Sequence, residues 1–93
     1  MEINIKQISQ FPKGVFNVGV TSDETTEHIV ELSEVYYKQL TSGKITTEEL
    51  IKRSFEFLLK RESNTSILSS FELSVINNYF PEYENMILNS INN

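Results

Sequence analysis

Residues 46–62 read TTEELIKRSFEFLLKRE, and this stretch predicts the longest helix of the chain. Thr46 followed three residues later by Glu49 is a capping-box pattern, in which both side chains satisfy free backbone N–H groups at a helix start. At about 100° per residue, the apolar side chains from Leu50 to Leu59 cover about half of the helix circumference, and charged side chains fill the rest. So wide an apolar face predicts a central helix that packs on more than one partner.

Upstream of this helix, the residues alternate with the period of β-strands in GVFNVGV (14–20) and TTEHIVEL (25–32). If both segments bury their apolar side, the numbers of paired residues must add up to an even value, which predicts a hairpin loop of odd length, three residues in the simplest case. EINIKQI (2–8) is a candidate third strand. The predicted inward side chains are Ile3, Ile5, Phe16, Val18, Val20, His28, Val30 and Leu32.

The chain changes to helical spacing at Ser33. SEVYYKQL (33–40) predicts a helix of about two turns that Ser42-Gly43 ends, and shorter helical segments follow the central helix. Strands first and helices afterwards are typical of the α+β class. We therefore predict one domain over residues 1–93, in which an antiparallel sheet of two or three strands (1–32) packs against about three or four helices (33–91).

The composition argues against several classes of function. The 93 residues include no cysteine, so disulfides, thiolate nucleophiles and zinc–cysteine sites are excluded. A net charge of −5 argues against nucleic-acid binding, which usually relies on a basic patch. Neither a signal-peptide pattern nor an apolar run of membrane-spanning length occurs, so we expect a cytoplasmic protein without a membrane segment.

No catalytic, cofactor-binding or metal-binding residue is predicted. His28 is the single histidine and has no partner at metal-ligand spacing, so we interpret it as a half-buried or edge residue of a strand. The paired carboxylates Glu48-Glu49 and Glu82 with Glu84 lie at predicted helix starts, where the helix dipole favours negative charge. The sequence therefore favours a protein that is not an enzyme.

FPEYE (80–84) predicts the start of the last helix, with Pro81 in its first turn. Arg61, at the end of the central helix, projects onto the apolar side, which predicts a structural ion pair with Glu82 or Glu84 once the last helix packs back. The alternative interpretation is that Lys60 and Arg61 interact only with the negative end of the central helix.

Residues 54–87, SFEFLLKRESNTSILSSFELSVINNYFPEYENMI, resemble a segment of small bacterial proteins of no assigned function. The shared pattern comprises phenylalanine-leucine-leucine, Arg-Glu and an FPEYE-type motif. The resemblance implies a fold shared with bacterial relatives, and it implies no activity, substrate or catalytic residue.

The leading functional hypothesis is a non-enzymatic interaction or regulatory protein of the bacterial cytosol that binds another protein or a second copy of itself. Free strand edges and apolar residues off the predicted core would form its surface. The predicted interaction residues are Ile29, Tyr37, Leu59 and Tyr79.

Two alternatives remain open. One is a small-ligand-binding domain or minor enzyme with a pocket between the sheet and the central helix, where Arg61 or His28 supplies the polar contact. The other is nucleic-acid binding, which the interleaved Glu56 weakens. The basic residues of that second alternative are Lys52, Arg53, Lys60 and Arg61.

Overall fold

The computed structural model describes residues 2–92, and in this range a four-stranded sheet packs against four α-helices. The predicted α+β class is confirmed, while Met1 and Asn93, the ends of the predicted domain, lie outside the described residues. The strands are β1 (Glu2–Ser9), β2 (Lys13–Thr21), β3 (Thr25–Ser33) and β4 (Ser70–Glu72). The helices are α1 (Glu34–Thr41), α2 (Thr47–Leu59), α3 (Ile76–Tyr79) and α4 (Tyr83–Asn92).

The strands lie in the order β1-β2-β3-β4, with antiparallel pairing of the first three and parallel pairing of β3 with β4. The prediction of two or three antiparallel strands is therefore wrong in number and, for β4, in direction. Residues 33–91 are likewise not wholly helical. β4 has three residues, of which Phe71 alone is buried, so it is too short for its alternation to be recognised in the sequence.

The β2–β3 hairpin has the predicted even sums of paired residue numbers and the predicted loop length. Phe16 lies opposite Val30, and Val18 lies opposite His28, so both pairs have even sums. Because Thr21 pairs with Thr25, the loop consists of the three residues 22–24. All inward side chains of both strands are buried, and β1 extends the same face.

Helices α1 and α2 begin at the predicted caps. The Thr46 hydroxyl oxygen accepts a hydrogen bond from the Glu49 N–H at 3.1 Å, and Ser33 accepts one from the Tyr36 N–H at 3.1 Å. The apolar side of α2 is buried in one hydrophobic core with the inner face of the sheet. The buried apolar residues of α2 are Leu50, Ile51, Phe55, Phe57 and Leu58.

Helix α4 begins two residues later than the prediction from Pro81. A turn precedes it, in which the Tyr83 N–H donates to the Phe80 carbonyl at 2.9 Å. The side-chain oxygen of Asn77 accepts a hydrogen bond from the Glu84 N–H at 3.2 Å. An acceptor from the preceding helix therefore caps α4, and no local pattern in residues 80–84 reveals it.

Candidate functional site

An apolar groove of about 170 Å³ opens beside β4, between the C-terminal end of α2, residues 66–71 and α3. Its floor belongs to the hydrophobic core, whereas its rim exposes Leu68 (48%) and Tyr79 (66%). Glu62 is the single charged residue of the lining. The complete lining is Leu58, Glu62, Ser66, Ile67, Leu68, Phe71, Val75, Ile76, Tyr79 and Phe80.

A hydrogen-bonded chain of buried polar groups fixes one wall of this groove. His28 Nδ1 lies 2.7 Å from the Leu68 carbonyl oxygen, and His28 Nε2 lies 2.9 Å from the Thr26 hydroxyl. The Asn64 amide donates to that same hydroxyl at 3.0 Å and to the Glu24 carbonyl at 2.9 Å. Strand β3 and the hairpin loop therefore hold the segment from Asn64 to Leu68 in place.

The hydrogen-bond partners determine where the protons of this chain lie. A carbonyl accepts but never donates, so His28 carries a proton on Nδ1 toward Leu68. Because Asn64 donates to the Thr26 oxygen, the Thr26 hydroxyl proton is free to reach His28 Nε2. Both ring nitrogens thus have partners inside the protein, and the histidine is 2% exposed. The predicted half-buried or edge position is wrong, because β3 is an inner strand and residues 64–68 cover the ring.

The four predicted interaction residues have different surroundings. Tyr79 lies at the groove rim, and the other three do not line the groove. Tyr37 packs on Phe11 with ring centroids 5.5 Å apart and donates its hydroxyl to the Ile45 carbonyl. Leu59 packs against the core, and Ile29 lies opposite Asn17 on the outer face of the sheet.

Sequence reasoning missed most of the groove, including the exposed Leu68. The lining comes from three separate segments, 58–62, 66–71 and 75–80. These segments meet because β4 pairs with β3 and because His28 binds a carbonyl forty residues away in the chain. A local sequence pattern carries no signal for such a convergence.

The predicted ion pair forms between Arg61 and Glu82 and excludes Glu84. Arg61 Nε lies 3.2 Å from a Glu82 carboxylate oxygen, and the guanidinium stacks 3.6 Å above the Phe57 ring centroid. The Glu84 carboxylate instead accepts a hydrogen bond from the Tyr36 hydroxyl at 3.0 Å. The backbone N–H of Glu82 and the side chain of Arg61 both bind the Glu82 carboxyl and hold its pKa below its usual range. With 23% and 49% of the two side chains exposed, water screens this pair.

A second cleft, of about 270 Å³, lies between α2 and α4 and contains most of the cations of the nucleic-acid alternative. Arg53 donates to Glu49 at 2.8 Å and to the Ser90 carbonyl at 3.2 Å, while Arg61 is paired with Glu82. Glu56 also lines the cleft. These contacts neutralise much of the positive charge that an anion would require.

No metal centre is evident in residues 2–92, since no group of three histidine or carboxylate side chains there is arranged to hold an ion. In the same range no helix has both the length and the apolar character needed to cross a membrane.

The facing side chains of the sheet and α2 are completely buried. They include Phe16, Val18, Leu50, Ile51 and Phe55.

Tyr83, fully buried beneath α2, makes a second polar chain within the core. Its hydroxyl lies 2.6 Å from the Ser54 hydroxyl, which donates to the Leu50 carbonyl at 2.7 Å, so Tyr83 is the donor to Ser54. Burial, with a smaller contribution from the charge of Glu84, raises the pKa of the Tyr83 hydroxyl above its ordinary value of 10.0. Burial likewise raises the pKa of Tyr36.

We expect alkaline pH to destabilise the fold through Tyr83. Below about pH 10 the tyrosine is protonated in both the folded and the unfolded chain, so its contribution is constant. Above that pH the unfolded chain loses the proton and the folded chain retains it. The free energy of unfolding should therefore fall by up to about 1.4 kcal/mol per pH unit for this residue.

Urea unfolding between about pH 8 and about pH 11 measures this slope. Tyr83→Phe should flatten it, and Tyr36→Phe should flatten it as well, because the pKa of both hydroxyls is raised in the folded chain. Tyr79→Phe is the matched control, since that side chain is 66% exposed. An unchanged slope in Tyr83→Phe would contradict the assignment.

Comparison with known proteins gives no family assignment. No protein-family model, curated protein or solved structure matches the chain. These comparisons therefore give no support to the resemblance of residues 54–87 to small bacterial proteins.

Proposed function

We propose that this protein is a non-enzymatic interaction domain of the bacterial cytosol, which binds a short apolar segment of another protein in the groove beside β4. The observation that supports this proposal is the exposure of the large apolar side chains of Leu68 and Tyr79 on the rim of a predominantly apolar groove. Exposed apolar residues around a concave surface are typical of binding sites, and tyrosine is enriched at protein interfaces.

The volume of the groove favours an anchoring side chain over a free small molecule. Pockets for drug-sized ligands measure roughly 300–1,000 Å³. The groove, at about 170 Å³, is smaller than this range. An interface of the proposed kind inserts one or two apolar side chains and continues over the surrounding surface.

The fixed wall of the groove supports tight binding by reducing the entropy that is lost when a partner docks. The contacts of His28 and Asn64 hold residues 64–68 before any partner arrives. Glu62, half-buried in the lining, favours a partner with a lysine or arginine beside its apolar anchor. The net charge of −5 acts in the same direction at longer range.

The polar groups of the ligand-binding alternative are engaged within the chain. His28 contacts Leu68 and Thr26, and Arg61 contacts Glu82 and the Phe57 carbonyl at 3.1 Å. A substrate would have to displace these contacts at a cost in free energy. This comparison favours the interaction hypothesis.

We expect peptides with one apolar anchor and flanking lysines, selected from a displayed library, to bind in the groove. Tyr79→Ser and Leu68→Ser should each weaken binding by about tenfold or more, as expected for anchoring contacts. Val35→Ser is the matched control, because Val35 is 67% exposed and lies on α1, outside the groove. Affinity is measured by titration, and the site is mapped by amide chemical-shift changes.

Peptides that map to another surface, or an equal loss of affinity in Val35→Ser, would overturn the proposed site. Failure to select any peptide would count against the function itself. A thermal shift of several degrees with one class of small molecule would instead favour the ligand-binding alternative.

A further inference from the structure

Strand β1 is an open edge of the sheet, on the side away from the groove. We infer that β1 pairs with β1 of a second copy, antiparallel and across a twofold axis, so that two four-stranded sheets form one continuous sheet. The proposed dimer uses the opposite edge of the sheet and does not depend on the groove having a partner.

The backbone of β1 is paired with a neighbouring strand on one side, and its other side is the open edge of the sheet. Residues 2–7 pair with β2 along one side. Among the described residues, no other backbone hydrogen bond involves residues 2–8. Every second residue of an edge strand directs its N–H and C=O outward, where another strand can bind them. Such an edge is a ready site for adding a strand.

The usable part of this edge is short. The register of the β1–β2 pair shifts between Gln7 and Ser9, so the regular strand ends near residue 7. A bulge of this kind twists the strand and ends regular pairing. A partner strand therefore has to pair mainly with residues 2–6.

The inner faces of the two strands are continuous only in registers in which the numbers of paired residues add up to an even value. In the register in which Asn4 lies opposite Asn4 of the second copy, Glu2 lies opposite Lys6 at both ends. Ile3 then lies opposite Ile5, also twice. One register thus forms two oppositely charged pairs on the outer face and two apolar pairs on the inner face.

The other even registers form fewer complementary side-chain pairs. A shift toward the C-terminus that pairs Lys6 with Lys6 places like charges opposite each other, which is unfavourable. The register centred on Ile5 places Glu2 opposite Ile8, at the irregular end of the strand. Within the residues that the structure describes, the register centred on Ile3 pairs residues 2–4 alone. Charge complementarity therefore selects the register centred on Asn4.

The side chains of this edge are free to make these contacts. Glu2 and Lys6 are exposed, and neither forms an ion pair with another residue of the described range 2–92. Ile3 and Ile5 pack on the core but stay half-buried beside α2. A lysine on an edge usually prevents strand pairing, but here it faces a glutamate of the partner. Since five residues of each strand take part, we expect weak, concentration-dependent association.

Cysteine cross-linking tests the register directly. The chain has no cysteine, so an introduced thiol can form a disulfide only with another molecule. In the proposed register the two Asn4 Cα atoms are about 4.5–5.5 Å apart, within the range of disulfides. The two Lys6 Cα atoms are at least about 13 Å apart. Asn4→Cys should therefore cross-link rapidly under mild oxidation, whereas Lys6→Cys should not.

Charge reversal tests the complementarity. Lys6→Glu places glutamate opposite Glu2 at both ends and should raise the dissociation constant, measured by sedimentation equilibrium, by about tenfold. The double variant Glu2→Lys with Lys6→Glu exchanges the charges and should restore association. Lys52→Glu, on the exposed side of α2, makes the same change in net charge and should have no comparable effect.

A native chain that stays monomeric at all concentrations, or equal cross-linking of the two cysteine variants, would overturn the dimer. So would a double variant that associates as weakly as Lys6→Glu. Circular dichroism establishes whether each variant folds. If Lys6→Glu does not fold, the cross-linking experiment alone tests the dimer. Tyr79→Ser should leave the dissociation constant of the dimer unchanged, so a failure here is distinct from a failure at the groove.

Discussion

Replacing Phe55 with alanine is expected to lower the free energy of unfolding by about 3–5 kcal/mol. The Phe55 side chain is fully buried, and its ring centroid lies 5.5 Å from that of His28 and 6.1 Å from that of Phe71. It therefore joins α2 to both β3 and β4. Proteins have roughly 0.05–0.15 kcal/mol of net stability per residue, so in a chain of 93 residues this loss is a large share of the total.

Urea unfolding followed by circular dichroism measures the loss, with the slope compared between variants to verify that the transition stays two-state. Glu56→Ala is the matched control, because the neighbouring Glu56 is exposed and its truncation should change stability by less than about 0.5 kcal/mol. Phe55→Leu should fall between the two, since leucine leaves a smaller cavity. A loss under about 1 kcal/mol in Phe55→Ala would show that this contact is not central to the core.

The sequence was sufficient to predict the parts of the fold that depend on local periodicity. The helical spacing of Leu50, Phe55 and Leu58 identifies the buried face of α2, and Thr46 marks its first turn. In the hairpin, alternation with a matched apolar face fixes an even register and a three-residue loop. In each case the signal extends over at least two periods of the element.

The parts that were missed depend on contacts between distant segments. β4 contributes just one buried side chain, Phe71, and exists because its backbone pairs with β3. Helix α1 is a further example, since its apolar residue Val35 is 67% exposed. Tyr37, which was predicted to lie off the core, packs on Phe11 from the turn after β1. Because α1 spans about two turns, its neighbours determine which side it buries.

The candidate groove shows the same limit more strongly. Tyr79 was among the predicted interaction residues, and the structure places it on the groove rim. The wall opposite depends on His28 and Asn64, whose partners lie about forty residues away in the chain. The Arg61–Glu82 pair was predictable because both residues lie at helix ends that the sequence locates. The choice of Glu82 over Glu84 depends on Tyr36, which binds Glu84 from α1.

Asn64→Ala is expected to destabilise the fold by about 2–3 kcal/mol and to loosen the groove wall. The Asn64 side chain is buried and donates to the Glu24 carbonyl at 2.9 Å and to the Thr26 hydroxyl at 3.0 Å. Alanine removes the donor to the Thr26 hydroxyl and leaves the Glu24 carbonyl with the Ser22 N–H at 3.0 Å. A buried polar group that loses its partner costs about 1–3 kcal/mol. Asn64→Asp should be no better, because an ionised carboxylate cannot donate a hydrogen bond.

Amide hydrogen exchange distinguishes this local effect from a general loss of stability. The Ile29 N–H donates to the Ser69 carbonyl at 2.8 Å, so its protection reports whether the wall stays attached to β3. In Asn64→Ala this amide should exchange faster than the β1–β2 amides do, whereas Phe55→Ala should lower protection across the whole core. Ser69→Ala, an exposed truncation next to the same wall, is the control. Uniform loss of protection in Asn64→Ala would mean that the polar chain stabilises the whole core and has no particular role in holding the groove.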